Sequence, residues 1–154
     1  MAADLSKGTL SRVYDKKEKR LQVISLTDNI ALLSAYGNDL SYDDIFIQQL
    51  RNLVQKGDVV VAISGSGNSK NIIEAVSYAK SCGAKTIGLL GFGKGGKLGM
   101  VVDCPVIVQS DQYGPIEDAH LAINHILTSL FARMKSNLDG NNESDNLSTP
   151  FKKV

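Results

Sequence analysis

Between Asp58 and Leu90 the chain reads DVVVAISGSGNSKNIIEAVSYAKSCGAKTIGLL: an apolar run, a loop of serine and glycine, a helix-length segment and a second apolar run. Val59 to Ser64 (VVVAIS) is a continuous apolar stretch of the kind found in strands covered on both faces. A helix is expected from about Ser69 to Ser81, Gly83 follows it, and Lys85 to Leu90 (KTIGLL) forms the next strand. Strand, helix and strand in so short a span make a βαβ unit with parallel strands and a right-handed crossover, and therefore an α/β fold.

The flanking segments extend this pattern. Residues 1–8 (MAADLSKG) read as the last turns of a helix that stops at Gly8, a natural left-handed position. The charged run Asp15 to Arg20 is a solvated approach to Leu21–Leu26 (LQVISL), whose bounded β-branched and apolar content predicts a strand. Thr27, Asp28 and Asn29 stand at its C-terminal end, where they can cap the segment Ile30 to Tyr36. Ser41 opens a helix to about Val54, with Asp43 and Asp44 in its first turn to suit the helix dipole, and Gly57-Asp58 breaks it. Downstream, the glycine-rich loop Gly91 to Gly96 and a short segment lead to a strand at Pro105 to Val108. A long helix then runs from roughly Pro115, at the first helical position, to Lys135.

With 154 residues the chain is expected to form one domain over residues 1–135. Residues 136–154, polar and rich in asparagine, are expected to be a disordered tail. Seventeen basic residues against sixteen acidic leave a formal charge of +1, so no large field draws nucleic acid or an anionic membrane. The N-terminus has no apolar stretch of signal-peptide type and no run is long enough to cross a bilayer, so a soluble, cytoplasmic protein is expected. Cys82 and Cys104 lack a CxxC or Cys/His spacing and are expected to be buried, reduced thiols.

The segment richest in chemistry is Ser64-Gly65-Ser66-Gly67-Asn68-Ser69, between a strand and the start of a helix. Its glycines let the backbone approach a ligand, the helix N-terminus presents unpaired N–H groups, and three hydroxyls can donate to phosphate oxygens. It is a phosphate cradle without net positive charge. The plainer alternative is an ordinary strand-to-helix turn in which Ser69 or Asn68 serves only as a cap. Gly91 to Leu98 (GFGKGGKL) matches GxGxxG and nearly matches a P-loop. The dinucleotide fingerprint needs a full helix after the glycines, however, and the P-loop needs Ser or Thr where Leu98 stands. Both are rejected, which leaves a flexible surface loop. A third constellation, Glu117, Asp118, His120 and His125, interrupts the apolar helix IEDAHLAINHILTSLF. A half-buried carboxylate or imidazole there could move protons near neutral pH, whereas first-turn acids also simply answer the helix dipole and a lone histidine is commonly structural. Both readings stay open on pattern alone.

Taken together, the segment from Asp58 to Gly91, the Gly95-Gly96-Lys97 loop and Ile116 to Leu127 (IEDAHLAINHIL) resemble the SIS-domain family, in its phosphoheptose (sedoheptulose 7-phosphate) isomerase branch. LQVISLTDNIALLSAYGNDLSYDDIF extends the likeness upstream, so that it covers about residues 2–135. The resemblance implies a three-layer, flavodoxin-like parallel sheet flanked by helices. It also implies a ketose–aldose phosphosugar isomerase in which a base moves a proton between neighbouring carbons through an enediol(ate). Family members are typically homotetramers with active sites at subunit interfaces, and some bind zinc.

Carried over residue by residue, Ser64, Gly65, Ser66 and Ser69 resemble the family's phosphate loop, and Thr27 with Asp28 resemble its pair at the end of the second strand. His125 resembles the catalytic or metal-binding histidine. Glu117 falls where many members carry a glutamine ligand, and Asp4 where they carry a catalytic or metal-binding glutamate. The resemblance thus implies a phosphorylated sugar as ligand, a homo-oligomer (dimer or tetramer), no nucleic acid or membrane partner and no required cofactor, with Asp4, Glu117 and His125 as the set that would hold zinc. Eight residues of ideal helix put Glu117 and His125 roughly 12 Å apart, which favours a bent helix start or a site shared between subunits. The family's N-terminal helices, first strand and GGSA-type loop have no counterpart before residue 1, and Gly114-Pro115 replaces a polar pair. The expectation is an SIS-type domain with its first strand missing: either a phosphosugar isomerase, or a non-catalytic SIS module that binds a sugar phosphate or a protein partner.

Overall fold

The computed structural model describes residues 1–10 and 18–138. In chain order the elements are α1 (Ala2–Gly8), α2 (Ile30–Asp39), α3 (Asp44–Leu53), β1 (Val59–Ser64), α4 (Lys70–Ser81), β2 (Lys85–Leu90), α5 (Leu98–Val101), β3 (Cys104–Ile107) and α6 (Tyr113–Leu138). They fall into two compact units, Ile24–Asn124 and Met1–Val23 with His125–Val154.

In the unit Ile24–Asn124 three parallel strands lie in the order β1-β2-β3. Val60 and Ala62 of β1 face α4, which meets the sheet through small residues: Ala75, Val76 and Ala79 are buried. Val76 packs with Ala62, Leu90, Leu98 and Val102, while Ala75 and Ala79 pack with Leu50 of α3 and Ala84. The open, helix-flanked parallel sheet is the expected fold class. The register aligns the strand ends: Ser64 pairs with Leu90 and Leu90 with Ile107, so all three strands stop level.

Several expectations are corrected. Leu21–Leu26 joins no ladder; β-propensity expresses fit to a pleated neighbour, and β1 is a sheet edge with no further strand beside it among the described residues. β1 is likewise covered on one face only. Val59, Val61 and Ile63 on the other face are 58%, 37% and 49% exposed. Ser41 does not itself open α3; its hydroxyl donates to the Asp44 carboxylate (2.7 Å), and the helix begins at Asp44. α6 starts at Tyr113, two residues ahead of Pro115, and Ser136–Leu138 are still helical; the rest of the expected tail lies outside the described residues. Cys104 is exposed and Cys82 half-buried, both as free thiols. Asn29 caps α2 as expected, its side chain accepting from the Leu32 N–H (3.0 Å).

In the other unit, α1 does end near Gly8, but not by a left-handed turn. The next residue, Thr9, is buried with ordinary negative φ, and its hydroxyl donates to the Leu5 carbonyl (2.6 Å), satisfying an orphan group of the helix end. A Cβ on Gly8 would collide with Thr128 of α6, so the glycine serves close approach of the two helices. Lys135 bridges the Thr9 carbonyl (3.2 Å) and the Glu18 carboxylate.

Lys80 and Asp103 pin the starts of β2 and β3. Lys80 Nζ lies 2.9 Å from Asp103, whose other carboxylate oxygen accepts from the Thr86 N–H (2.9 Å) and hydroxyl (3.0 Å). The lysine contact first, then the Thr86 donors, hold the Asp103 carboxyl down to about 2. In the unfolded chain it titrates near 4, so between about pH 4 and pH 2 unfolding takes up a proton and stability falls with pH. Thermal melts followed by circular dichroism should therefore show a shallower loss of Tm between those values for Asp103→Asn than for the wild type; parallel slopes would contradict this linkage. Leu90 is fully buried at the end of β2. Leu90→Ala should cost about 2–5 kcal/mol in urea titrations at unchanged m-value, while a loss below about 1 kcal/mol would show that the site collapses around the gap.

Candidate functional site

The level ends of β1 and β2 place the loop after each strand at the same edge of the sheet, where open α/β proteins bind ligands. In the first loop the chain turns tightly: the Gly67 N–H donates to the Ser64 carbonyl (3.2 Å) and hydroxyl oxygen (3.1 Å), and the Asn68 N–H donates to the Ser66 hydroxyl oxygen (3.3 Å). A serine oxygen that accepts one backbone N–H keeps its own O–H, so Ser64 and Ser66 each retain a donor. Ser69 is the N-cap residue of α4 by position, yet its side chain makes no capping bond. Its hydroxyl and the Lys70 and Asn71 N–H groups at the start of α4 have no protein partner among the described residues. The plainer alternative, a loop whose serine or asparagine merely caps the helix, does not describe this arrangement.

The second loop is where sequence reasoning falls short. The loop Gly91–Gly96 exposes Phe92, Gly93 and Lys94 as a surface loop would, but its ends are packed against the first loop. The Gly91 N–H donates to the Gly65 carbonyl (2.9 Å), the Leu98 N–H to the Gly67 carbonyl (2.9 Å), and the Lys97 N–H to Asn68 Oδ1 (3.1 Å). Gly67 and Gly96 both have left-handed φ, +63° and +60°. A Cβ on Gly67 would fall on the Gly95 carbonyl, and one on Gly96 on the Ser66 carbonyl, so only glycine fits at either position. The available signal is a pair of glycine-rich stretches placed after adjacent parallel strands. Read separately, one is a cradle and the other a failed nucleotide motif.

The start of α6 closes the same edge. Ile116 is buried against Gly65 and Gly91, and the Tyr113 ring lies 3.0 Å from where a Gly65 Cβ would stand. Tyr113 also meets Phe92 edge-to-face at 4.8 Å between ring centroids. His120 is buried, with Nε2 3.1 Å from the Leu90 carbonyl, and so anchors α6 to the end of β2. Beside this cluster an open depression of about 470 Å³ is lined by Phe92, Gly93, Gln109, Ser110 and Asp111. Glu117 and Asp118 are exposed on the first turns of α6, and a side chain at Gly114 would meet only open space.

Thr27 and Asp28 are exposed, and their hydrogen bonds stay within their own turn: the Thr27 and Ser25 hydroxyls are 2.8 Å apart, and the Asp28 N–H donates to the Ser25 carbonyl (3.3 Å). The buried Gln49 holds the preceding Leu26 carbonyl (3.0 Å). In the other unit Asp4 sits on the first turn of α1, 3.4 Å from the terminal amine, and His125 is exposed on α6. Asp4, Glu117 and His125 are thus drawn from both units. Among the described residues no three His, Cys, Asp or Glu side chains form a group that could hold a metal ion, so no step of the chemistry is routed through one.

Comparison with known proteins matches the SIS-domain family profile to residues 10–91. The chain is 44% identical over 116 residues to the phosphoheptose isomerase of a Nitratiruptor species, covering 75% of this chain and 62% of that protein. It is 43% identical over 116 residues to the phosphoheptose isomerase of Geobacter sulfurreducens, covering 75% and 61%. It therefore spans about three fifths of the length of these relatives. Among solved structures, a phosphoheptose isomerase from Francisella tularensis superposes with a TM-score of 0.75 at 31% identity over 85% of this chain and 69% of its own. That of Neisseria gonorrhoeae gives 0.68 at 35% identity, over 70% and 61%. With more than half of its residues inside the family profile and the fold shared at this level of identity, the chain belongs to the SIS-domain family, and its likeness runs to the phosphoheptose isomerases.

Proposed function

We propose that this chain binds a phosphorylated sugar and interconverts its ketose and aldose forms, with sedoheptulose 7-phosphate as the substrate to try first. The observation that carries the reading is the cradle: Ser64 and Ser66 each retaining an O–H, Ser69 and the start of α4 without a partner among the described residues, and glycines beside them. Oriented neutral donors at a helix N-terminus suit a phosphate dianion without a lysine or arginine. The likeness to phosphoheptose isomerases supports the choice of sugar.

In the reaction, a base removes a proton from the carbon beside the carbonyl, an enediol(ate) forms, and a proton returns to the neighbouring carbon. No oxidant or reductant is consumed. His125, Glu117 and Asp4 are assigned to the proton transfer, and Thr27 and Asp28 to the sugar. The separation of Glu117 and His125 along α6 supports a site shared between copies of a homo-oligomer. Zinc on Asp4, Glu117 and His125 would require side chains gathered from more than one copy, since no such group forms among the described residues of one chain, and metal analysis of the purified protein tests it. No described helix is long and apolar enough to cross a membrane, and a cytoplasmic location is part of the same proposal.

A second reading, a non-catalytic SIS module that binds a sugar phosphate or a protein partner, is favoured by the open space at Gly114. Turnover of sedoheptulose 7-phosphate by the full chain separates the two. For the isomerase, His125→Ala abolishes turnover while phosphate still binds, and Ser66→Ala weakens binding about tenfold or more, the scale of a hydrogen bond to a charged group. Binding without turnover in the wild type would select the module, and neither binding nor turnover would remove both readings.

A further inference from the structure

We propose that Asn68 is the positioning residue of the cradle, the clamp that holds the two glycine loops at the spacing a phosphate needs. This rests on the phosphate reading of the cradle and adds a residue that touches no ligand. The Asn68 side chain reaches in two directions. Its Oδ1 accepts from the Lys97 N–H across the gap (3.1 Å), and its Nδ2 donates to the Ser66 carbonyl within its own loop (3.0 Å).

An amide alone among side chains of this length offers an acceptor and a donor at once, and both partners are satisfied in only one orientation of the group. Aspartate keeps the acceptor and loses the donor; leucine loses both. The two bonds act beside the close approach of Gly96 to the first loop. The Ser66 carbonyl held by Nδ2 is the one that a Cβ on Gly96 would strike, and the Lys97 N–H held by Oδ1 follows Gly96 directly in the chain. The Asn68 backbone N–H meanwhile donates to the Ser66 hydroxyl oxygen, so the residue that bridges the loops also holds a hydroxyl of the cradle. Asn68 itself is exposed, and the hydrophobic clusters beneath the sheet do not include it. Its loss should therefore loosen the cradle without melting the fold.

The test combines titration of inorganic phosphate with amide hydrogen exchange on the full chain. In Asn68→Ala, phosphate affinity falls about tenfold, on the scale of misaligning one donor to a charged group, while Tm moves by no more than a few degrees. Exchange at the Lys97 N–H accelerates at least about tenfold, and the Gly91 N–H, bonded to Gly65 independently of Asn68, keeps its protection. Asn68→Asp, which retains the acceptor, restores protection at Lys97. Unchanged phosphate affinity in Asn68→Ala, or unchanged protection at Lys97, overturns the proposal and leaves the cradle standing. A wild-type chain that binds neither phosphate nor sugar phosphate removes the cradle reading and the proposal with it.

Discussion

Because Ser64 stands opposite Leu90, the two chain segments leave β1 and β2 at the same height, and nothing but their own backbones can fill the space between them. The Gly65 carbonyl and Gly91 N–H carry the ladder one bond past the strands. Beyond that point the loops pass so closely that Gly67 and Gly96 have room for no side chain. The donors of the cradle, the start of α5 at Leu98 and the seat of Ile116 all inherit their positions from this contact. Burial below the loops supports it: Leu90, fully enclosed, lies against the positions where side chains on Gly95 and Gly88 would sit.

The βαβ unit, the cradle serines and the order of later elements are legible in the residues, because apolar runs of strand length around an amphipathic helix leave few alternatives. What cannot be read are matters of neighbourhood. LQVISL has the composition of a strand, but a strand exists only where an edge accepts it. VVVAIS predicts two covered faces, yet only Val60 and Ala62 find α4. Cys104 reads as buried from apolar neighbours in sequence, which say little at the first residue of a short strand. Phe92 carries the one positive φ outside glycine among the described residues, a conformation that no local rule foretells.

The site residues divide in the same way. The loop that carries Ser64, Ser66 and Ser69 is legible as the link between a strand and a helix, because an apolar run and a helix-length segment bound it. His120 and His125 are not separable by pattern, since both lie on one helix; the structure gives His120 a backbone carbonyl and leaves His125 exposed. Asn68 is equally hidden: its partner Lys97 lies 29 residues away, and no local spacing reports such a bond.

The meshing of Gly67 with Gly95 and Gly96 also bears on how such a chain can change over evolutionary time. At Gly67 and Gly96 a substitution is met by the backbone of the other loop, so neither position can change alone. A new side chain at either of these glycines demands a backbone shift across the gap. Side chains have room to change instead at Gly93 and Gly114, where an added Cβ would meet nothing, and at the exposed Gln109 and Asp111.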